Sequence, residues 1–134
     1  MEQKCNVIYI FSINIPHFDG LIKFGQIVGT FDVDPNAIAD NDPKLETWAK
    51  KGIDQLASTA STFCKLLYCT IGLTNKSHQN IDLKEIYECL KLKGILPNDP
   101  NANSDWYKIS LKKAIRPIRA IKNENLNLDF KDQD

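Results

Sequence analysis

The chain has 134 residues, 43% of them hydrophobic and 25% charged, and its 17 basic and 17 acidic side chains leave no formal net charge. That length suits one domain with one hydrophobic core. Balanced charge excludes capture of a polyanion by overall charge, so any nucleic-acid surface has to be a local patch.

Two apolar runs open the chain, Val7-Ile8-Tyr9-Ile10-Phe11 and Leu21-Ile22-Lys23-Phe24-Gly25-Gln26, joined by a segment that carries Pro16, Asp19 and Gly20. β-branched and aromatic content predicts strands, and the residues between them predict a connecting loop, so a β-hairpin is expected. With a period of two, Tyr9 shares a face with Val7 and Phe11, and Lys23 shares one with Leu21 and Gly25. Val28-Gly29-Thr30 then leads to Asp32, Asp34, Pro35, Asp40 and Asn41, a composition that predicts a solvated acidic loop. Its charge repels a phosphate backbone unless it folds away.

Asp42-Pro43 has the form of an N-cap and first helical residue, and Leu45, Trp48, Ala49, Leu56 and Ala60 give the helix that follows an apolar face. Gly52 weakens its middle and marks a kink or a close contact. Phe63 to Ile71 predicts a third, buried strand, and His78 in the next loop reads as an exposed side chain. Asp82 and Glu85 form a capping pattern at the start of a second helix with an apolar stripe of Leu83, Ile86, Tyr87 and Leu90, closed by Gly94. Trp106-Tyr107 predicts a packed aromatic pair before a last helix, capped by Ser110, with Pro117 inside it as a kink. Six basic residues and no acidic one lie between Lys108 and Lys122, and a polar tail or linker is expected over 123–134. The expected class is α+β: a small, mostly antiparallel three-stranded sheet packed with helices, over residues 1–122.

Cys5, Cys64, Cys69 and Cys89 lie in or beside apolar runs with no Cys-x-x-Cys pair, which points to buried thiols rather than a disulfide framework or zinc site. No secretory signal opens the chain and no run reaches the roughly 18 apolar residues of a membrane span, so a cytoplasmic protein without a membrane partner is expected.

Val7-Ile8-Tyr9 and Lys23-Phe24-Gly25, followed by Gln26, resemble the two signature strands of the GIY-YIG nuclease superfamily, in the variant whose second motif reads Lys-Ile-Gly. The stretch from Asp82 to Gly94, followed by Ser104 to Leu111, is similar to the later helix and the Glu-Trp-Phe element of the phage and helicase-associated branch. Order and approximate spacing agree over residues 5 to 121. The resemblance implies a magnesium- or manganese-dependent DNA endonuclease domain, associated with or fused to a helicase or restriction module. Phosphodiester hydrolysis needs an activated water, a cation to stabilise the transition state, and usually a divalent metal held by a carboxylate.

By resemblance, Tyr9 and Lys23 stand at the attacking water, with Tyr9 as base and Lys23 as electrostatic partner, or the reverse if Lys23 is desolvated. Residue by residue the chain also departs from the family. No arginine precedes Arg116, so Lys50 or Lys51 replaces the phosphate-contacting arginine without its bidentate grip. Tyr87 stands where a histidine is expected, and Asp105 replaces the glutamate of the Glu-Trp-Phe element. The metal ligand is sought among Glu85, Asp105 and Asp82, although helix capping competes for Asp82 and Glu85. Three other readings stay open. Tyr9 can be a core tyrosine with a hydrogen-bonded tip and Lys23 an edge-strand lysine. The domain can be a catalytically silent DNA-binding or targeting module, or a protein-interaction domain using Trp48, Trp106 and Tyr107.

Overall fold

The computed structural model describes residues 2–57, 63–98 and 105–124. It is α+β, with three antiparallel strands and three helices in the order β1 (Gln3–Ile13), β2 (Lys23–Phe31), α1 (Pro43–Ala57), β3 (Cys64–Gly72), α2 (Leu83–Leu92) and α3 (Leu111–Lys122). The sheet order is β2-β1-β3. The unbroken apolar run of β1 explains its central place: both of its faces are buried, so neither needs polar side chains. Val7, Tyr9 and Phe11 point to one layer, which α1 covers with Leu45, Ala49 and Ile53. Ile8 and Ile10 point to the other, covered by Ile86 and Leu90 of α2 and Ile118 and Ile121 of α3. Among the described residues no helix is long and apolar enough to cross a membrane.

Local chemistry sets the helix ends where the sequence predicts. The Asp42 carboxylate accepts from the Lys44 N–H at 2.9 Å, Asp82 from Lys84 at 2.8 Å, and the Ser110 hydroxyl from Lys113 at 3.2 Å. After α2, Gly94 takes a positive φ of 78°, and the Ile95 and Gly94 N–H groups bond back to Leu90 and Lys91. This closure satisfies carbonyls that the helix leaves open. Pro117 is buried inside α3.

Three expectations change. The strands outrun their apolar cores, because Lys4, Cys5 and Asn6 pair with Thr30, Gly29 and Val28, so β2 continues through residues expected after it. On α1 the buried stripe uses Ile53, whereas Leu56 is exposed, and Ala60 lies outside the described residues. The acidic segment is not a free loop. Asn41 exchanges two hydrogen bonds with Cys69, through its N–H and its side-chain oxygen, each 2.9 Å. The Asp40 carboxylate accepts from the Tyr68 hydroxyl at 2.6 Å and from the Thr70 hydroxyl. The segment thereby closes the outer edge of β3, whose unpaired backbone groups otherwise invite pairing with another chain.

Past α3, the Glu124 carboxylate accepts from Lys76 and Ser77, and the Lys122 carbonyl accepts from Asn75 at 2.7 Å. The tail from residue 125 lies outside the described residues. Cys5, Cys69 and Cys89 are buried, and burial pushes the Cys5 and Cys69 thiols up to about 11.

Candidate functional site

Two of the residues that the sequence singles out, Lys23 and Asp105, pair at a corner on the outer edge of β2. The segment around Tyr107 runs antiparallel to the start of that strand, with Ile22 and Tyr107 exchanging two backbone hydrogen bonds of 2.9 Å. This brings Asp105 to Lys23, with the carboxylate 3.6 Å from the ammonium. The Lys23 ammonium also lies 5.7 Å from the centre of the Trp106 ring, which packs on Phe11 and Phe18. Lys23 opposes Phe11 and Gly25 opposes Tyr9 in the β1–β2 register, so Tyr9 and Lys23 share the α1 face of the sheet.

Tyr9 passes between two glycines. A methyl carbon at Gly25 would lie 2.3 Å from its ring, and one at Gly52 would lie 2.4 Å from its hydroxyl oxygen. Gly52 is therefore a close contact, and it lets α1 sit directly on the phenol. The residue is 0% exposed, and its hydroxyl finds no hydrogen-bond partner among the described residues. Burial pushes its pKa up to about 12, so at neutral pH Tyr9 is a protonated phenol.

Tyr87, from α2, lies on the opposite face of the sheet from Tyr9 and Lys23. Its ring stacks on Tyr107 at 6.0 Å and meets Phe24 edge-on at 6.1 Å. Burial raises its pKa, and the nearby charge of Asp105, then Tyr107 and Tyr9, adds to the shift. Tyr107 is pushed up to about 12 by burial and then Asp105. One carboxylate thus sits among phenols held in their neutral form.

Other predicted residues stand elsewhere. Lys51 folds over the Trp48 ring at 5.1 Å, and Trp48 packs on Phe31 at the far end of β2. Lys50 is exposed on α1, with no contact to the corner among the described residues. Asp82 is committed to capping α2. Glu85 lies about 200° around α2 from Tyr87 and lines a groove with Glu88, Cys89 and Ile121 on the α3 side. Of the three carboxylates considered for a metal, Asp105 alone joins Lys23, and among the described residues no group of three His, Cys, Asp or Glu side chains is arranged to hold an ion. A depression of about 820 Å³ under the β1–β2 loop is lined by Phe18, Gly20, Ile22 and Lys65 among others, and by none of the residues assigned to catalysis.

Trp106 packs on Phe11 and Phe18, and Tyr107 packs on Phe24. Sequence reasoning missed the pairing of Tyr107 with Ile22, since nothing local links residues so far apart. Gly52, read as a kink or a close contact, was the sequence signal for the approach of α1 to Tyr9. No protein-family model, curated protein or solved structure matches the chain.

Proposed function

We propose that this chain is a metal-dependent endonuclease domain of the GIY-YIG type, acting on the phosphodiester bonds of DNA. The observation that carries the reading is the Lys23–Asp105 pair, 3.6 Å apart at the outer edge of β2, on the face of the sheet that also carries Tyr9. Lys23, with its side chain 22% exposed, is available to neutralise a phosphate. Asp105 is 55% exposed, and its 3.6 Å approach to Lys23 is longer than a charge-assisted hydrogen bond, so the carboxylate keeps free coordination sites. That suits magnesium or manganese bound by one carboxylate with waters and substrate phosphate completing the shell. Such an ion polarises the phosphoryl oxygen and lowers the pKa of water. On the same reading the domain works in the cytoplasm beside a helicase or restriction module.

One observation favours a second reading, a catalytically silent DNA-binding or targeting module. The Tyr9 hydroxyl is sealed beneath Gly52 and has a pKa of about 12, which leaves roughly one molecule in 10⁵ ionised at pH 7. Water activation by Tyr9 requires α1 to shift. The deciding experiment is nicking of supercoiled plasmid in magnesium or manganese by the wild type, Lys23→Ala and Asp105→Asn, beside gel shifts of the same DNA in EDTA. Cleavage lost in both variants supports the nuclease; gel shifts without cleavage by the wild type leave the silent module; neither activity refutes both.

A further inference from the structure

The corner at β2 leaves a second charged feature unused. Of the six basic residues from Lys108 to Lys122, Lys122 turns inward to the Ile71 carbonyl, Arg116 is half-buried, and Arg119 is exposed but does not line the depression described next. Lys108, Lys112 and Lys113 are exposed, and together with Ile109 and Ser110 they line one shallow depression of about 530 Å³. We propose that this depression is a track for the backbone of duplex DNA leading into the Lys23–Asp105 corner. The proposal rests on the DNA-processing reading and adds to it the surface that holds the substrate.

Placement supports the assignment. The Ile22–Tyr107 bridge sets Lys23 opposite Trp106, and Lys108 follows two residues later on the same side, about 7 Å along the segment. The Lys108 stem lies against the β1–β2 loop, 3.9 Å from where a methyl carbon at Gly20 would stand. The track and the corner are therefore continuous. Two acids border this strip: Asp105, which Lys23 faces, and Asp19 beside Gly20.

Charge is sorted in the same sense. Asp40 lies on the outer edge of β3, whereas the track starts from the outer edge of β2, and β1 separates the two strands. At about 4.8 Å per strand the separation is at least about 10 Å, more than a Debye length at physiological salt. An acid there weakens phosphate binding little.

Side-chain chemistry selects the ligand. Three lysines are point charges on flexible stems, which suit phosphate oxygens and read no base edge. The track should bind duplexes without regard to sequence and depend steeply on salt.

The test uses the full chain and a short fluorescent duplex in EDTA, with affinity followed by anisotropy across potassium chloride concentrations. The variant is Lys108→Gln, Lys112→Gln, Lys113→Gln; the charge-matched control is Lys44→Gln, Lys65→Gln, Lys91→Gln, all exposed positions. Each lost contact flattens the log–log salt slope by about 0.9, so the triple variant should be shallower by about 2.7. Over a fourfold rise in salt the wild type should then lose about 40-fold more affinity than the variant, with the control following the wild type. A variant with the wild-type slope overturns the track and leaves the DNA reading standing. A control that flattens as much as the variant overturns it too, because the effect is then one of net charge. Wild type that binds no duplex at any salt removes both.

Discussion

Tyr9→Phe should make the protein more stable. The substitution deletes one oxygen that is fully buried and has no hydrogen-bond partner among the described residues. Leaving a buried hydroxyl unsatisfied costs about 1–3 kcal/mol, and the contacts that oxygen makes with α1 at Gly52 return a part of it. A net gain of about 1–2 kcal/mol is expected, worth about 3–8 °C in Tm for a chain of this length. Urea unfolding followed by far-ultraviolet circular dichroism measures it, with an unchanged m-value as the check that both chains unfold from comparable states. A phenylalanine variant that is less stable by about 1 kcal/mol or more would refute the reasoning, because its hydroxyl would then be the satisfied tip of an ordinary core tyrosine. If the nuclease reading holds, the same variant loses nicking while gaining stability, the trade expected of a group kept for chemistry.

Alanine at Gly52 would add about 1 kcal/mol through helix propensity in open space, but its methyl would stand 2.4 Å from the Tyr9 oxygen and 2.9–3.0 Å from two ring carbons. A net loss of about 1–3 kcal/mol is expected, smaller in the Tyr9→Phe background, and a double-mutant cycle in urea reads that coupling. Asp40→Ala leaves the buried hydroxyls of Tyr68 and Thr70 without their acceptor and should lower stability by about 2–4 kcal/mol, seen as a lower urea midpoint. All four tyrosines have raised pKa values, burial being the first cause in each, with Tyr9 and Tyr107 at about 12. Their contribution to stability is complete below about pH 10 and declines from there to pH 12 and above, where the unfolded chain gives up protons that the folded one holds. Tyrosinate absorbance should show a step near pH 10 in urea and none in the native protein; a native step there contradicts the burial argument.

How much was legible depends on how local the cause is. Asp42-Pro43, Asp82, Ser110 and Gly94 end helices through bonds spanning a few residues, and a reader of the sequence can place each one. Central placement of β1 follows from a run with no solvent-facing residue. The extension of β2 to Phe31 was hidden because strand length is set by the partner it pairs with. Asp40 and Asn41 look solvated in sequence, and only the approach of β3, some thirty residues on, turns them into edge caps. At the site, resemblance brought Lys23, Asp105, Tyr87 and Tyr9 into one group; Lys23 and Asp105 pair, Tyr9 lies on the same face of the sheet as Lys23, and Tyr87 packs on the opposite face. It also offered Lys50, Lys51, Asp82 and Glu85, whose directions are decided by helix phase and capping. Nothing in the order of residues says that α1 closes over the Tyr9 hydroxyl, since that depends on the packing of a helix against a sheet.

That closure bears on why position 9 is a tyrosine. Three residues here depart from what their own surroundings favour. Gly25 interrupts a strand, Gly52 interrupts a helix at roughly 1 kcal/mol relative to alanine, and Tyr9 buries an unsatisfied oxygen. Each departure concerns the same side chain, because both glycines are the space that the phenol occupies. A scaffold shaped by packing alone would reach the same burial with a smaller residue at 9 and alanine at 25 and 52, and every one of those changes follows local preference. Several local rules failing together around one atom is the pattern on which a functional proposal can rest. Here the atom is a phenol oxygen on the face of the sheet that carries Lys23. The exposed ion pair adds at most about 1 kcal/mol to stability. Neither the hydroxyl nor the pair is needed to hold the fold, and the proposed nuclease would give both a use.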